Sequence, residues 1–389
     1  MGVSHLEDVV SALNRVDWNF CRATTLRDSI NSLHRFPGNF VPDLPAYLIQ
    51  ILSSRGMLVA DPFCGSGTTG FEAVRLDRRA WIGDVNRAGL LISRGKLAFV
   101  TSPLAASLTT VANEFAYGLS RHEPNSTSNI GTDARIADWF HPDTLFELRA
   151  IWATIQSVDN EPARDALAML FSDTLFACAS TAGSKTKTGK TRRHHWGWIA
   201  DNVLPKPPVW QDPRRLFCTK LEKAVEVSLS IQGQSHGAPI IRLDDCRSLS
   251  LESEVVDLVV TSPPYIGMID YTLANRLTYL WFDWPMEQDR ELEIGARCRR
   301  NNAAEPRRYL EYMKQCCSEI ERILKVGGYC AIVIGASRKF PDMPTAVIDL
   351  FASSFRPIWG PTARVPERRR VSERQGSEPS EFICVFRKQ

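Results

Sequence analysis

Two short stretches of the chain combine residue types that reaction chemistry needs. The first is Asp61-Pro-Phe63-Cys-Gly65-Ser-Gly67-Thr-Thr-Gly70, where G-x-G-x-x-G follows the apolar run MLVADPF and opens a helical pattern. Glycines in that context let a nucleotide-type ligand approach backbone N–H groups at a helix start. Asp61 narrows the ligand, because a carboxylate four positions before Gly65 repels the pyrophosphate of a dinucleotide and attracts an ammonium group. S-adenosylmethionine therefore fits better than NAD. Asp84 closes the next apolar run and has the place of an acid that accepts hydrogen bonds from ribose hydroxyls in either cofactor class. The second stretch is Thr261-Ser262-Pro263-Pro264-Tyr265, directly after the apolar VVDLVV. Two successive prolines stiffen the backbone and offer carbonyls without donors. Ser262 and the Pro263 carbonyl are then candidates to accept both hydrogens of an exocyclic amine. Holding those protons localises the nitrogen lone pair for attack on a sulfonium methyl, a use of fixed acceptors where positive charge develops. Tyr265 offers an aromatic face to a base taken out of its stack.

These residues need a sheet behind them. MLVADPF, WIGD at 81–84, PIIRLDD, VVDLVVTSPPY and YCAIVIGAS each read as a buried strand, and a helix over Tyr309–Leu324 ends in Lys325-Val-Gly-Gly before the last. The fold class expected is α/β, a doubly wound sheet, interrupted after its second strand. Between 101 and 236 the periodicity is helical, with Leu145, Leu148, Ile151, Trp152 and Ile155 on one face and Leu167, Leu170, Phe171 and Leu175 on another. The expected organisation is 1–100 with the glycine motif, 101–236 as an inserted, mainly helical domain, and 237–389 with the serine motif.

The 47 Lys+Arg and 44 Asp+Glu leave a net charge of +3, so a polyanion partner must meet a local cluster. Lys185, Lys187, Lys190, Arg192 and Arg193 form one, followed by His194, His195, Trp196 and Trp198, a mixture suited to phosphates and bases. Arg364, Arg368, Arg369, Arg370 and Arg374 form a second, offset by Glu367 and Glu373. Gly183 to Thr191 imitates a phosphate loop but has five residues between its glycines, the wrong register. Ten cysteines without C-x-x-C spacing read as core residues, and no metal site is expected. No apolar run suits a membrane span or a signal peptide, so a cytoplasmic protein is expected.

The glycine and serine motifs together resemble those of the amino-group DNA methyltransferases, over residues 30–100 and 239–389. The Thr-Ser-Pro-Pro-Tyr phrase is most associated with cytosine-N4 enzymes, and some relatives carrying it act on adenine N6. The resemblance implies a Rossmann-like methyltransferase sheet, S-adenosylmethionine as cofactor, double-stranded DNA as partner, and a cognate restriction or defence component as a further partner. By resemblance Asp61 contacts the methionine amino end, Phe63 packs near adenosine, Gly65 and Gly67 admit the backbone, Asp84 takes the ribose, and Asp245 meets the adenine amine. Phe36, in Phe-Pro-Gly-Asn-Phe40, matches a segment that covers the cofactor, and Ile269-Asp-Tyr271 with Arg276 adds further similarity. The insertion becomes the target-recognition region. The rival readings are an RNA base methyltransferase, a non-catalytic DNA-binding module, and an NAD oxidoreductase, which Asp61 disfavours.

Overall fold

In the computed structural model, the residues described are 3–20, 30–116, 134–179, 209–231, 237–364 and 381–389. Helices α1 (Val3–Asn14) and α2 (Asp43–Leu52) precede strand β1 (Leu58–Asp61), α3 (Thr68–Arg75), β2 (Arg79–Asp84) and α4 (Arg87–Thr101). Next come α5 (Ala105–Ala116), α6 (Pro142–Gln156), α7 (Glu161–Cys178) and α8 (Pro213–Ser230), before β3 (Ile240–Leu243) and β4 (Val256–Thr261). The chain ends with α9 (Arg276–Trp281), α10 (Met286–Leu292), α11 (Glu305–Ile323), β5 (Leu324–Gly335), α12 (Met343–Ser354), β6 (Arg356–Arg364) and β7 (Glu381–Arg387).

The seven strands form one sheet in the order β3-β2-β1-β4-β5-β7-β6. The first five are parallel, and β7 runs antiparallel between β5 and β6. All four residues of β1 and all but Asp257 of β4 are buried, which is why these segments read as unbroken apolar runs and not as alternating ones. Strand order reverses between β1 and β4, and ligands of open α/β sheets bind in the crevice at such a switch point. Asp61 ends β1 and Thr261 ends β4, so both motifs flank that crevice. β5 corrects the expected helix boundary. The helix begins at Glu305 and stops at Ile323, and Lys325-Val-Gly-Gly lies inside the strand. A register shift between Val256↔Leu324 and Leu258↔Tyr329 absorbs it as a bulge, with Gly327 at φ +81.

The described parts of 101–236 are helical and pack into the core that covers one face of the sheet. Asn160 caps α7 by accepting from the N–H of Ala163 (2.9 Å), and Asp212 caps α8 by accepting from Arg215 (3.0 Å), each with proline in the first turn. α7 lies against α4 at Gly95, where an added Cβ would stand 2.5 Å from Cβ of Met169 and 2.8 Å from the Asp165 carbonyl. The polar side of α7 also fixes the N-terminal segment. Ser172 Oγ contacts His34 Nε2 (3.2 Å), Asp173 accepts from the Arg35 N–H (3.1 Å), and Lys220 pairs with Asp173. No described helix is long and apolar enough to cross a membrane.

Candidate active site

One cleft runs along the carboxyl edge of the sheet and is lined by Phe36, Asp61, Phe63, Gly65, Asp84 and Asp245 together with Ser262, Pro263, Pro264 and Tyr265. Residues named from distant parts of the sequence thus meet in one place. Gly67 stands just behind it, capping α3 at φ +75; an added Cβ would lie 2.7 to 3.0 Å from Ser93, including its backbone, so the loop accepts only glycine there.

At the β1 and β2 ends two carboxylates face the cleft. Asp61 Oδ1 accepts from the Thr261 hydroxyl (2.6 Å) and the Phe63 N–H (3.1 Å). Asp84 accepts from the Gly65 N–H (2.8 Å) on one oxygen and the Asn86 N–H (2.8 Å) on the other, so it sets the glycine loop while facing the ligand space. Burial lifts the Asp61 carboxyl to about 6 against the pull of its hydrogen bonds. Burial likewise lifts Asp84 to about 6, its two N–H donors oppose this, and Asp61 adds repulsion. Neither has a cationic partner among the described residues. Two buried acids without a counter-ion favour a ligand that brings cationic character and hydroxyl donors. Asp245, beyond β3, is held by Arg247 on both oxygens (2.5 to 3.0 Å), and Asp244 beside it accepts from the Ser250 N–H and hydroxyl.

The N-terminal segment closes over this end. Phe36 is 5% exposed, its ring lies 3.1 Å from where a Cβ on Gly65 would stand, and it stacks on Tyr271 at 5.8 Å and 19°. Beneath the loop Lys96, fully buried, donates to Ser66 Oγ (3.0 Å) and Asn31 Oδ1 (2.8 Å), and Ser66 donates to Asn39 (2.5 Å). Burial pushes the Lys96 ammonium down to about 7. Periodicity shows Lys96 only as an interruption in a helix, so its role in tying the segment to the loop has no signal in the sequence.

At the β4 end Ser262 Oγ donates to the Val333 carbonyl of β5 (3.0 Å), which directs its proton away and leaves its lone pairs for an incoming donor. The Tyr265 hydroxyl stands 3.4 Å from Ser262 Oγ. Its ring lies on Gly335, where an added Cβ would come within 2.1 to 2.7 Å of three ring carbons. Tyr309 donates to the Pro264 carbonyl (3.0 Å) and secures the second proline. Glu293, 5% exposed, also lines the cleft and accepts from the Thr272 N–H and hydroxyl, holding the turn that carries Tyr271. Gly335, Tyr309 and Glu293 are not read as site residues from the sequence, because each acts through neighbours far away in the chain. Lys185, Lys187, Lys190, Arg192 and Arg193 lie outside the described residues, as do Arg368, Arg369, Arg370 and Arg374. No group of three metal-ligating side chains occurs among the described residues.

Comparison with known proteins finds distant likenesses. The N6/N4 family model described as DNA methylase matches residues 8–91, which include Phe36, Asp61, the glycine loop and Asp84. The Type II methyltransferase M.MvaI of Kocuria varians is 21% identical over 286 residues, covering 69% of this chain. The chain spans 61% of that relative's length. Among solved structures, TrmN of Thermus thermophilus is similar at 13% identity and a TM-score of 0.35, over 91% of this chain and 50% of that one. The rRNA methyltransferase aviRa of Streptomyces viridochromogenes is similar at 13% identity and a TM-score of 0.34, over 97% of this chain and 94% of that one. The family match between Asp8 and Leu91 takes in the glycine motif at the end of β1, and over those residues the chain is similar to the N6/N4 DNA methylases; the Thr-Ser-Pro-Pro-Tyr motif at the end of β4 lies beyond it.

Proposed function

We propose that the chain methylates the exocyclic N4 amine of cytosine in double-stranded DNA, with S-adenosylmethionine as the methyl source. The observation that carries this reading is Ser262 Oγ, its proton given to Val333, standing in the same cleft as the carboxylates and glycine loop of the nucleotide end. When bound, S-adenosylmethionine supplies a methyl group made electrophilic by its sulfonium. Asp84 would hold the ribose hydroxyls, Asp61 the ammonium, and Phe36 and Phe63 the walls of the cleft beside the adenosine. We assign Asp245 the adenine amine, with Arg247 orienting its carboxylate.

On the other side Ser262 Oγ and the Pro263 carbonyl would accept the two amine hydrogens. The Pro264 carbonyl is already taken by Tyr309, which singles out its neighbour for that task. Accepting both hydrogens would bend the nitrogen out of conjugation and free its lone pair for the methyl carbon, whose bond to the sulfonium sulfur would break as the N–C bond forms, leaving S-adenosylhomocysteine; one amine proton would then pass by way of its acceptor to solvent water. Neither acceptor needs to act as a base beforehand. A base inside a duplex is out of reach of this crevice and must be turned out of the stack, where Tyr265 would pack against it. We assign duplex contact to Lys185, Lys187, Lys190, Arg192 and Arg193. Neutralising all five should flatten the slope of log affinity against log salt by up to about 4, since each phosphate contact contributes roughly −0.9.

The test is nucleoside mass spectrometry of unmodified DNA incubated with the full chain and S-adenosylmethionine. N4-methylcytosine is the expected product. N6-methyladenine would move the target to adenine, and label found in RNA alone would overturn the DNA reading.

A further inference from the structure

The β4 to β6 side of the cleft holds a charge that this chemistry does not use. Arg364, the last residue of β6, is 1% exposed and lines the cleft with Glu381, the first residue of β7. The two are cross-strand partners, with the guanidinium Nε 3.4 Å from Oε2 of Glu381. None of the three guanidinium nitrogens makes a hydrogen bond among the described residues. A guanidinium presents five N–H donors in a planar fork, and buried donors left without acceptors are costly enough that native proteins rarely retain them. The arrangement is that of a donor set waiting for a ligand.

Its place follows from the sheet. Ser262 is bonded to Val333, Tyr265 lies on Gly335, Gly335 pairs with Glu381, and Glu381 pairs with Arg364. Arg364 is therefore on the opposite side of Ser262 from Asp61 and Asp84, on the side where the amine-bearing base must enter. The Watson–Crick edge of cytosine presents the N4 amine, then two acceptors, N3 and O2. Adenine presents its N6 amine, one acceptor at N1, and a C–H. A pair of acceptors at Ser262 and Pro263 flanked by a fork of donors complements cytosine along its whole edge and adenine only in part.

Resting on the methyltransferase reading above, we propose that Arg364 recognises the target base by donating to the N3 and O2 acceptors of cytosine, with Glu381 orienting the fork. The test uses Arg364→Lys, which keeps the charge beside Glu381 but loses the fork, and Arg364→Gln. The site is first mapped with the wild-type chain, and duplexes are then made with cytosine or adenine at the target position. Bidentate base contacts typically discriminate by about 10- to 100-fold. Methylation of the cytosine duplex should fall by that factor in both variants, and the preference for cytosine over adenine should shrink. Affinity for S-adenosylhomocysteine by calorimetry and the melting temperature should stay at wild-type values. A variant that keeps the wild-type rate and the wild-type preference overturns the assignment while leaving the proposed function intact. A lower rate accompanied by weaker S-adenosylhomocysteine binding or a lower melting temperature assigns Arg364 to the scaffold and also overturns it. If the wild-type chain produced no N4-methylcytosine, the proposed function would itself have failed.

Discussion

The two halves of the cleft are built differently. At the β1, β2 and β3 ends the functional groups lie within short runs of chain: Asp61, Phe63 and Gly65 in one loop, Asp84 one strand later, Asp244 and Asp245 together. Backbone donors nearby in the chain orient the first two carboxylates, Phe63 N–H to Asp61 and Gly65 and Asn86 N–H to Asp84, and Asp245 is held by Arg247 two residues on. At the β4, β5, β7 and β6 ends the contacts join elements far apart in the chain: Ser262 on the Val333 carbonyl, Tyr265 on Gly335, Tyr309 of α11 on the Pro264 carbonyl, Arg364 beside Glu381. A cofactor of constant shape suits a local backbone device. Discriminating one base edge from another asks for side chains brought together by the order of strands.

The largest expected effect separates the halves cleanly. Ser262→Ala removes an acceptor where charge develops and should lower turnover about a hundred- to a thousandfold, the usual loss for one fixed partner of a transition state. Cofactor-product affinity should be unchanged, because nothing on the Asp61 and Asp84 side leans on Ser262. Single-turnover methylation beside calorimetry checks both, and near-wild-type turnover would make the tetrapeptide a structural turn. Asp84→Asn is the converse. It replaces one carboxylate oxygen with an amide NH2, a donor set against the Gly65 or the Asn86 N–H, and should weaken S-adenosylhomocysteine binding about 10- to 100-fold, the range for hydrogen bonds to a charged group. Full affinity in Asp84→Asn would contradict the division.

The same contrast governs how much the sequence disclosed. Asp61, Gly65, Asp84 and Ser262 stand out because a strand end, a glycine spacing and a proline pair are local patterns, and the sheet order brings them to one crevice. Arg364 reads as part of a basic run, yet β6 ends on it inside the protein with Glu381 across the ladder. Gly335 reads as the end of an apolar strand and Tyr309 as one face of a helix, since nothing local shows that Tyr265 and Pro264 will lie on them. The helical character of the described parts of 101–236 is legible in their periodicity. The grip of α7 on the segment before Phe36, through Ser172 and Asp173, depends on residues 138 positions apart and leaves no periodic trace.

Gly335→Ala sharpens the comparison from within β5. The new Cβ would overlap the Tyr265 ring, backed by the tightly paired β7, so the ring must shift. Overpacking of this kind typically costs 1–3 kcal/mol, and if about half of it falls on the placement of Ser262 and Tyr265, turnover drops roughly two- to tenfold. S-adenosylhomocysteine affinity should again hold. A parallel loss of cofactor affinity would show that the halves are mechanically coupled through β4.

The smallest effect concerns pH and tests whether Asp61 meets its ligand as an anion. Its carboxyl is raised to about 6 by burial, so the folded chain without ligand holds that proton more tightly than the unfolded one. The sign for stability follows: the contribution of Asp61 is fully present below its ordinary value near 3.8 and is lost as pH rises through about 6. A ligand ammonium favours the ionised carboxylate, so affinity runs the other way, rising through about 6 and levelling above it. Between pH 5.5 and 7.5 one such group changes affinity by about fourfold. S-adenosylhomocysteine titrations across that range should show the rise, with proton release at the acid end, and Asp61→Asn should remove that fourfold and its share of the opposite stability slope, leaving only what Asp84, also lifted to about 6, contributes. An affinity that is flat with pH in the wild-type chain would mean that the ammonium lies elsewhere, with Asp61 serving only to join Thr261 to the Phe63 turn.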